Sequence, residues 1–99
     1  MKPIIKQKKV CYFCGDEPVH KHHVFYGSNR QMSEKYGCVV YLCWYHHEHP
    51  QEGVHWTDPK NHLIGKAHDL FLKQLFQGEW EKRFGTREDF IKAFGRSWL

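Results

Sequence analysis

Residues Cys38–His49 read CVVYLCWYHHEH, and the change of character at Cys43 decides the fold. Before it, CVVYL is β-branched and aromatic, the composition of a short strand. After it come histidines at 46, 47 and 49 on a stretch that reads as a short helix ended by Pro50. A strand running straight into a short helix, with metal-type donors at the junction, predicts a metal-bearing α+β core.

A second donor cluster, CYFCGDEPVHKHH at 11–23, lies upstream. A structural zinc site takes four soft or borderline donors in a tetrahedron, and a Cys-x-x-Cys turn supplies two corners at once. Cys11 and Cys14 form such a pair. Cys43 with a histidine at the start of the following helix forms the other, and spacing alone leaves His46 and His47 both open for that place. No βαβ pattern surrounds CYFC, so a thioredoxin-like redox reading has no support.

The composition suits a small, stapled domain. With 99 residues the chain is expected to be one domain (a basic arm at 1–10, a metal-bearing core at 11–55 and a helical scaffold at 56–99), too small to bury much surface and helped by a bound metal. Hydrophobic residues at 40% and aromatics at 16% are ample for a packed core and argue against disorder. Fifteen Lys and Arg against eleven Asp and Glu give +4. Four of those lysines fall in the first ten residues with no acid among them, so Lys6, Lys8 and Lys9 are expected either to face phosphate or to form a solvated terminus. No apolar run reaches membrane-span length and the N-terminus lacks signal-peptide character, so a cytoplasmic location is expected, where the four cysteines are thiols or metal ligands.

Around the two clusters, Val19–Tyr26 reads as an extended segment, 27–29 as a turn, and NRQMSEKY as a helical turn before Gly37. Further on, Asp58 is expected to cap a helix with Pro59 at its first position. That helix would bury a stripe of Leu63, Ile64, Ala67, Leu70, Phe71, Leu75, Trp80 and Phe84. A last helix is expected from Thr86, with Asp89 as capping-box partner and Gly95 as its stop.

Once zinc has claimed its ligands, His22, His23 and one of His46 and His47 remain. Histidines at this density suit phosphodiester hydrolysis, which needs a metal at the scissile phosphate and a base that works near neutral pH. The order CYFC, HKHHVFYG, VVYLCWYHH resembles the HNH endonucleases of the His-Me finger group. The resemblance covers residues 11–55 and implies a ββα-metal core, here zinc-stapled and followed by two helices. It implies Cys11, Cys14, Cys43 and His46 as zinc ligands, His22 and His47 as ligands of a catalytic metal, and His23 as general base. The phrase SEKYGCVVYLCWYHHEHPQEGVH is more narrowly similar to small phage-encoded HNH proteins associated with recombination and dependent on a host recombinase filament. That similarity makes His55 a further metal ligand, with His49 as its competitor, and makes a phage or host recombination protein a candidate partner.

Two features depart from the family pattern. The middle Asn is absent before the second strand, where Cys38 stands as a small buried residue and Asn29 is the nearest substitute. Neighbouring strand residues such as His22 and His23 also point to opposite faces, so both reach one site only if the chain twists there. Arg30 is a candidate phosphate clamp, with an ordinary surface arginine as the alternative. The function expected is a DNA endonuclease using magnesium or manganese; an all-histidine site would also take nickel or zinc in vitro. The alternative is a non-catalytic zinc module that binds DNA or a protein.

Overall fold

The computed structural model describes residues 2–99 and is α+β, with one two-stranded antiparallel sheet and four helices. In chain order these are β1 (His20–His23), α1 (Arg30–Tyr36), β2 (Val39–Leu42), α2 (Trp44–Glu48), α3 (Leu63–Arg83) and α4 (Arg87–Phe94). β1 pairs with β2 in the register His20–Leu42, Lys21–Tyr41, His22–Val40 and His23–Val39. No described helix is long and apolar enough to cross a membrane.

The strands are short because little of each is needed. β1 occupies only the middle of the extended 19–26 segment, and Val24 continues past it with one bond to the Cys38 carbonyl at 2.9 Å. α1 is locked onto the end of that segment by Ser33, which is fully buried. Its Oγ accepts from the Phe25 N–H at 3.0 Å and donates to the Phe25 carbonyl at 2.6 Å, so both backbone groups of one residue are satisfied by one hydroxyl. Asn29 is used elsewhere: its amide donates to the Phe94 carbonyl at 2.8 Å and ties the start of α1 to α4.

The basic arm is folded against the sheet. Ile4 is buried and its N–H donates to the Gly37 carbonyl at 2.7 Å. The Gln7 side chain donates to the Val39 carbonyl at 2.9 Å and accepts from the Tyr41 N–H at 3.1 Å, doing for β2 what a third strand would do. Lys6, Lys8 and Lys9 stay exposed around this anchor.

Two expectations about the C-terminal half are corrected. The long helix begins at Leu63, not at Pro59; Asp58 instead accepts from the backbone N–H groups of Lys60 and Asn61 at 2.9 and 3.2 Å, closing a turn before the helix. Its buried face is Leu72, Phe76 and Trp80, four residues apart, while Leu63, Ile64, Leu70, Phe71 and Phe84 are exposed. The start of α3 meets the rest of the fold through the buried Gly65 and leaves Leu63 and Ile64 exposed, so apolar periodicity there does not report burial. The core itself joins Val24, Phe25, Val40 and Leu42 to Leu72, Phe76 and Trp80 of α3 and Phe90 and Phe94 of α4. α4 carries the expected capping box, with Thr86 and Asp89 bonded reciprocally, and Gly95 ends it.

Candidate metal centre and adjoining cavity

Both donor clusters meet on α2, and helix geometry separates them. Cys43 is the N-cap of α2 and His46 lies in its first turn. His47, one position on, is rotated by about 100° around the axis. His46 therefore joins the cysteines while His47 turns to the other side.

The first group is Cys11, Cys14, Cys43 and His46, whose donor atoms all lie within 4.8 Å of one another. Sγ of Cys14 and Sγ of Cys43 are 3.7 Å apart, and Nδ1 of His46 is 3.5 Å from Sγ of Cys11 and 3.3 Å from Sγ of Cys43. Tetrahedral zinc with ordinary Zn–S and Zn–N bonds sets S···S at about 3.8 Å and S···N at about 3.6 Å. These three of the six donor–donor distances are close to the edges of a zinc tetrahedron, and the cluster can bind a metal such as zinc. The knuckle is shaped by its own backbone: the Gly15 N–H donates to the Cys11 carbonyl at 2.8 Å, and the Cys11 N–H to the Asp16 carbonyl at 3.0 Å.

Protonation within the cluster is uneven. Burial alone would raise the Cys11 thiol, but backbone N–H groups of Cys43, Cys14 and Phe13 outweigh it and bring Cys11 below the ordinary value. The Asp16 N–H favours the Cys14 thiolate, yet lost hydration and the contacts with Cys11 and Cys43 push Cys14 up to about 12. Without a cation, one negative sulfur is tolerated and a second is opposed; a dication removes that opposition. Burial, followed by His68, lowers His46 and keeps it a neutral donor.

The second group is His22, His47 and His55, with ligand nitrogens again within 4.8 Å. His55 arrives by a backbone device. The loop after α2 folds back so that the Val54 N–H bonds the His46 carbonyl and the His55 N–H bonds the His47 carbonyl, each at 2.9 Å. Gly53 permits this: a Cβ there would sit 2.6 Å from the His49 nitrogen. α3 then closes on the same loop at Gly65, where a Cβ would lie 2.4 Å from the Gly53 carbonyl oxygen. Between the competing ligands, His55 stands with the cluster, whereas His49 spends Nδ1 accepting from the Gln51 and Glu52 N–H groups at 3.2 Å. His47 is also near His20 and Glu48, a more exposed trio.

Burial makes these imidazoles neutral. It pushes His22 down to about 2, with His55 and His47 adding repulsion, and His47 down to about 4; His55 is lowered by burial as well. Nε2 of His22 and Nδ1 of His47 are buried with no hydrogen-bond partner. An unpaired buried nitrogen is costly, and a metal would satisfy it.

A cavity of about 490 Å³ adjoins the trio and is also lined by Lys21, His23, Tyr26 and Arg30. His22 and His23, neighbours on β1, therefore reach one cavity although a flat strand would send them apart. In the neighbouring pocket, which shares Lys21, His23 and Arg30 with this one, His23 Nε2 is 2.7 Å from Glu34 Oε2, and Lys21 Nζ is 3.0 Å from Glu34 Oε1. His23 first and Lys21 second hold the Glu34 carboxyl down at about 2.

Sequence reasoning missed Glu34, whose position on α1 carries no motif. It also missed the contribution of α3. Tyr26 packs its ring 5.1 Å from that of His55 and donates its hydroxyl to Asp69 at 3.1 Å, while Lys73 reaches the same hydroxyl at 3.2 Å. The Asp69–Lys73 pair was legible as an i, i+4 ion pair; its reach to Tyr26 was not. His68 of α3 stacks beside Phe13 of the knuckle, with ring centres 4.7 Å apart. Comparison with family models, with curated proteins and with solved structures gave no match.

Proposed function

We propose that the chain is a metal-dependent DNA endonuclease of the HNH type, with β1, β2 and α2 as a ββα-metal core and a structural zinc at Cys11, Cys14, Cys43 and His46. The observation that carries this reading is the meeting of three neutral histidines, His22, His47 and His55, with His23 and Arg30 around one cavity. Nothing in a purely structural zinc domain calls for a second nitrogen cluster with orphaned lone pairs. The resemblance of residues 11–55 to HNH nucleases gives those residues their roles.

A divalent metal held by His22, His47 and His55 would neutralise the scissile phosphate and stabilise the leaving oxygen. The three-nitrogen donor set favours manganese, nickel or zinc over magnesium. His23 takes the proton of the attacking water, and Arg30 grips non-bridging phosphate oxygens. Lys6, Lys8 and Lys9 contribute affinity that carries no sequence information. The similarity to recombination-associated phage proteins extends the proposal to DNA processing beside a recombination partner.

A supercoiled-plasmid assay tests this directly. A nuclease converts the plasmid to open circles with manganese or nickel and stops when chelator is added. DNA binding without conversion under magnesium, manganese, nickel and zinc would replace the nuclease with a non-catalytic zinc module.

A further inference from the structure

An acidic residue outside the cavity lining contacts the histidine proposed as its base. Glu34, on α1, lines a neighbouring pocket that shares Lys21, His23 and Arg30 with the cavity, and its carboxylate is 2.7 Å from Nε2 of His23. That is the length of a charge-assisted bond. Placing an anion next to a site for polyanionic DNA works against substrate binding, so the contact calls for a compensating role.

We infer that Glu34 is a positioning residue for His23: it accepts the Nε2–H bond and so fixes the ring in the tautomer whose bare Nδ1 can take a proton. The inference rests on the nuclease reading of His23. Imidazole has two nitrogens, and the partner of one decides which carries the proton and which is left basic. Without Glu34 both tautomers are populated and the ring turns about its side-chain bonds.

The placement is built into the scaffold. Ser33, next in sequence to Glu34, is fully buried and clamps both backbone groups of Phe25, two residues beyond His23. α1 therefore cannot shift along the strand without breaking both bonds. Lys21 donates to both oxygens of the carboxylate, at 3.0 and 3.2 Å, holding its plane from the other side. Asn29, the nearest amide in sequence, is committed to Phe94 and does not serve His23.

Exposure limits the size of the effect. The Glu34 side chain is 42% exposed and that of His23 13%. A buried carboxylate that orients a catalytic histidine is worth about 10⁴ in rate. For a half-solvated one, a loss of about 10- to 100-fold is expected, as for other outer-shell partners.

The test uses the full chain with its zinc, single-turnover plasmid nicking at saturating manganese, DNA affinity, zinc content, and long-range ¹H–¹⁵N NMR of the histidine rings at about pH 8, where unperturbed histidines are neutral. Wild type is expected to show His23 as the Nε2–H tautomer. Glu34→Ala is expected to show mixed tautomers and nicking reduced 10- to 100-fold, with zinc unchanged and DNA affinity equal to or above that of wild type. Glu34→Gln keeps an acceptor oxygen and is expected to retain the tautomer and recover part of the rate. An Nδ1–H tautomer in wild type, a Glu34→Ala rate equal to wild type, or a Glu34→Ala defect that follows lost zinc or lost DNA affinity overturns the inference and leaves the nuclease reading in place. A wild type that binds DNA and never nicks it overturns the nuclease reading and this inference with it.

Discussion

Cys14 is exposed, and for that reason Cys14→Ser is the sharpest probe of the zinc. In a fold without metal, exchanging a surface thiol for a hydroxyl changes stability by no more than about 0.5 kcal/mol. With zinc the arithmetic differs. Small structural zinc sites contribute roughly 10–16 kcal/mol of apparent binding free energy, or about 3 kcal/mol for each of four ligands. Set against a total of about 5–15 kcal/mol for a domain of this size, losing one ligand removes a large share of the stability. A loss of about 3 kcal/mol lowers the melting midpoint by roughly 10–25 °C. Differential scanning fluorimetry of wild type and variant, each with and without chelator, reads this out. Chelator should lower the wild-type midpoint by more than the substitution does and bring both proteins to a common midpoint. A variant melting within about 2 °C of wild type, or a wild type indifferent to chelator and free of zinc by elemental analysis, would refute the tetrahedral site.

Other consequences are independent of that metal. Phe76→Ala removes a fully buried ring that α3 contributes to the core and should cost about 3–5 kcal/mol in chemical denaturation. Thr86→Ala deletes the α4 cap and should cost about 1 kcal/mol. The Thr86 backbone N–H, then its hydroxyl, lowers the Asp89 carboxyl from its usual 3.8. Its contribution is therefore fully present above that value and is lost as pH falls through the lowered one, so the stability gap between wild type and Asp89→Asn should close on acidification and stay constant near neutrality. Neutralising Lys6, Lys8 and Lys9 together should weaken DNA binding evenly across sequences and make the salt dependence shallower; an unchanged slope would make these lysines solvated bystanders.

How far the chain could be read depended on whether a signal was local. The β2–α2 junction at Cys43, α1 before Gly37 and the Thr86–Asp89 box were all legible, because each rests on neighbouring residues. The assignment of His46 and not His47 to the cysteine group needed the helix phase, which spacing alone does not supply. His55 could be named only through a resemblance, since its approach to His47 depends on backbone bonds made by a loop that folds back at Gly53. The α3 stripe misled for a different reason. Apolar spacing reports which face a residue shares, while burial is decided by where the neighbouring elements end. The Glu34–His23 and Tyr26–Asp69 contacts were invisible because the partners lie 11 and 43 residues apart, distances over which no sequence pattern reports a contact.

The central claim is that His23 works as a base beside a metal cluster, and its most direct test is single-turnover nicking of supercoiled DNA by His23→Ala with manganese. Loss of the general base should lower the rate by about 10²- to 10⁴-fold while zinc content, melting midpoint and DNA affinity stay at wild-type values. A variant that nicks as fast as wild type, with those three properties equally intact, would contradict the claim.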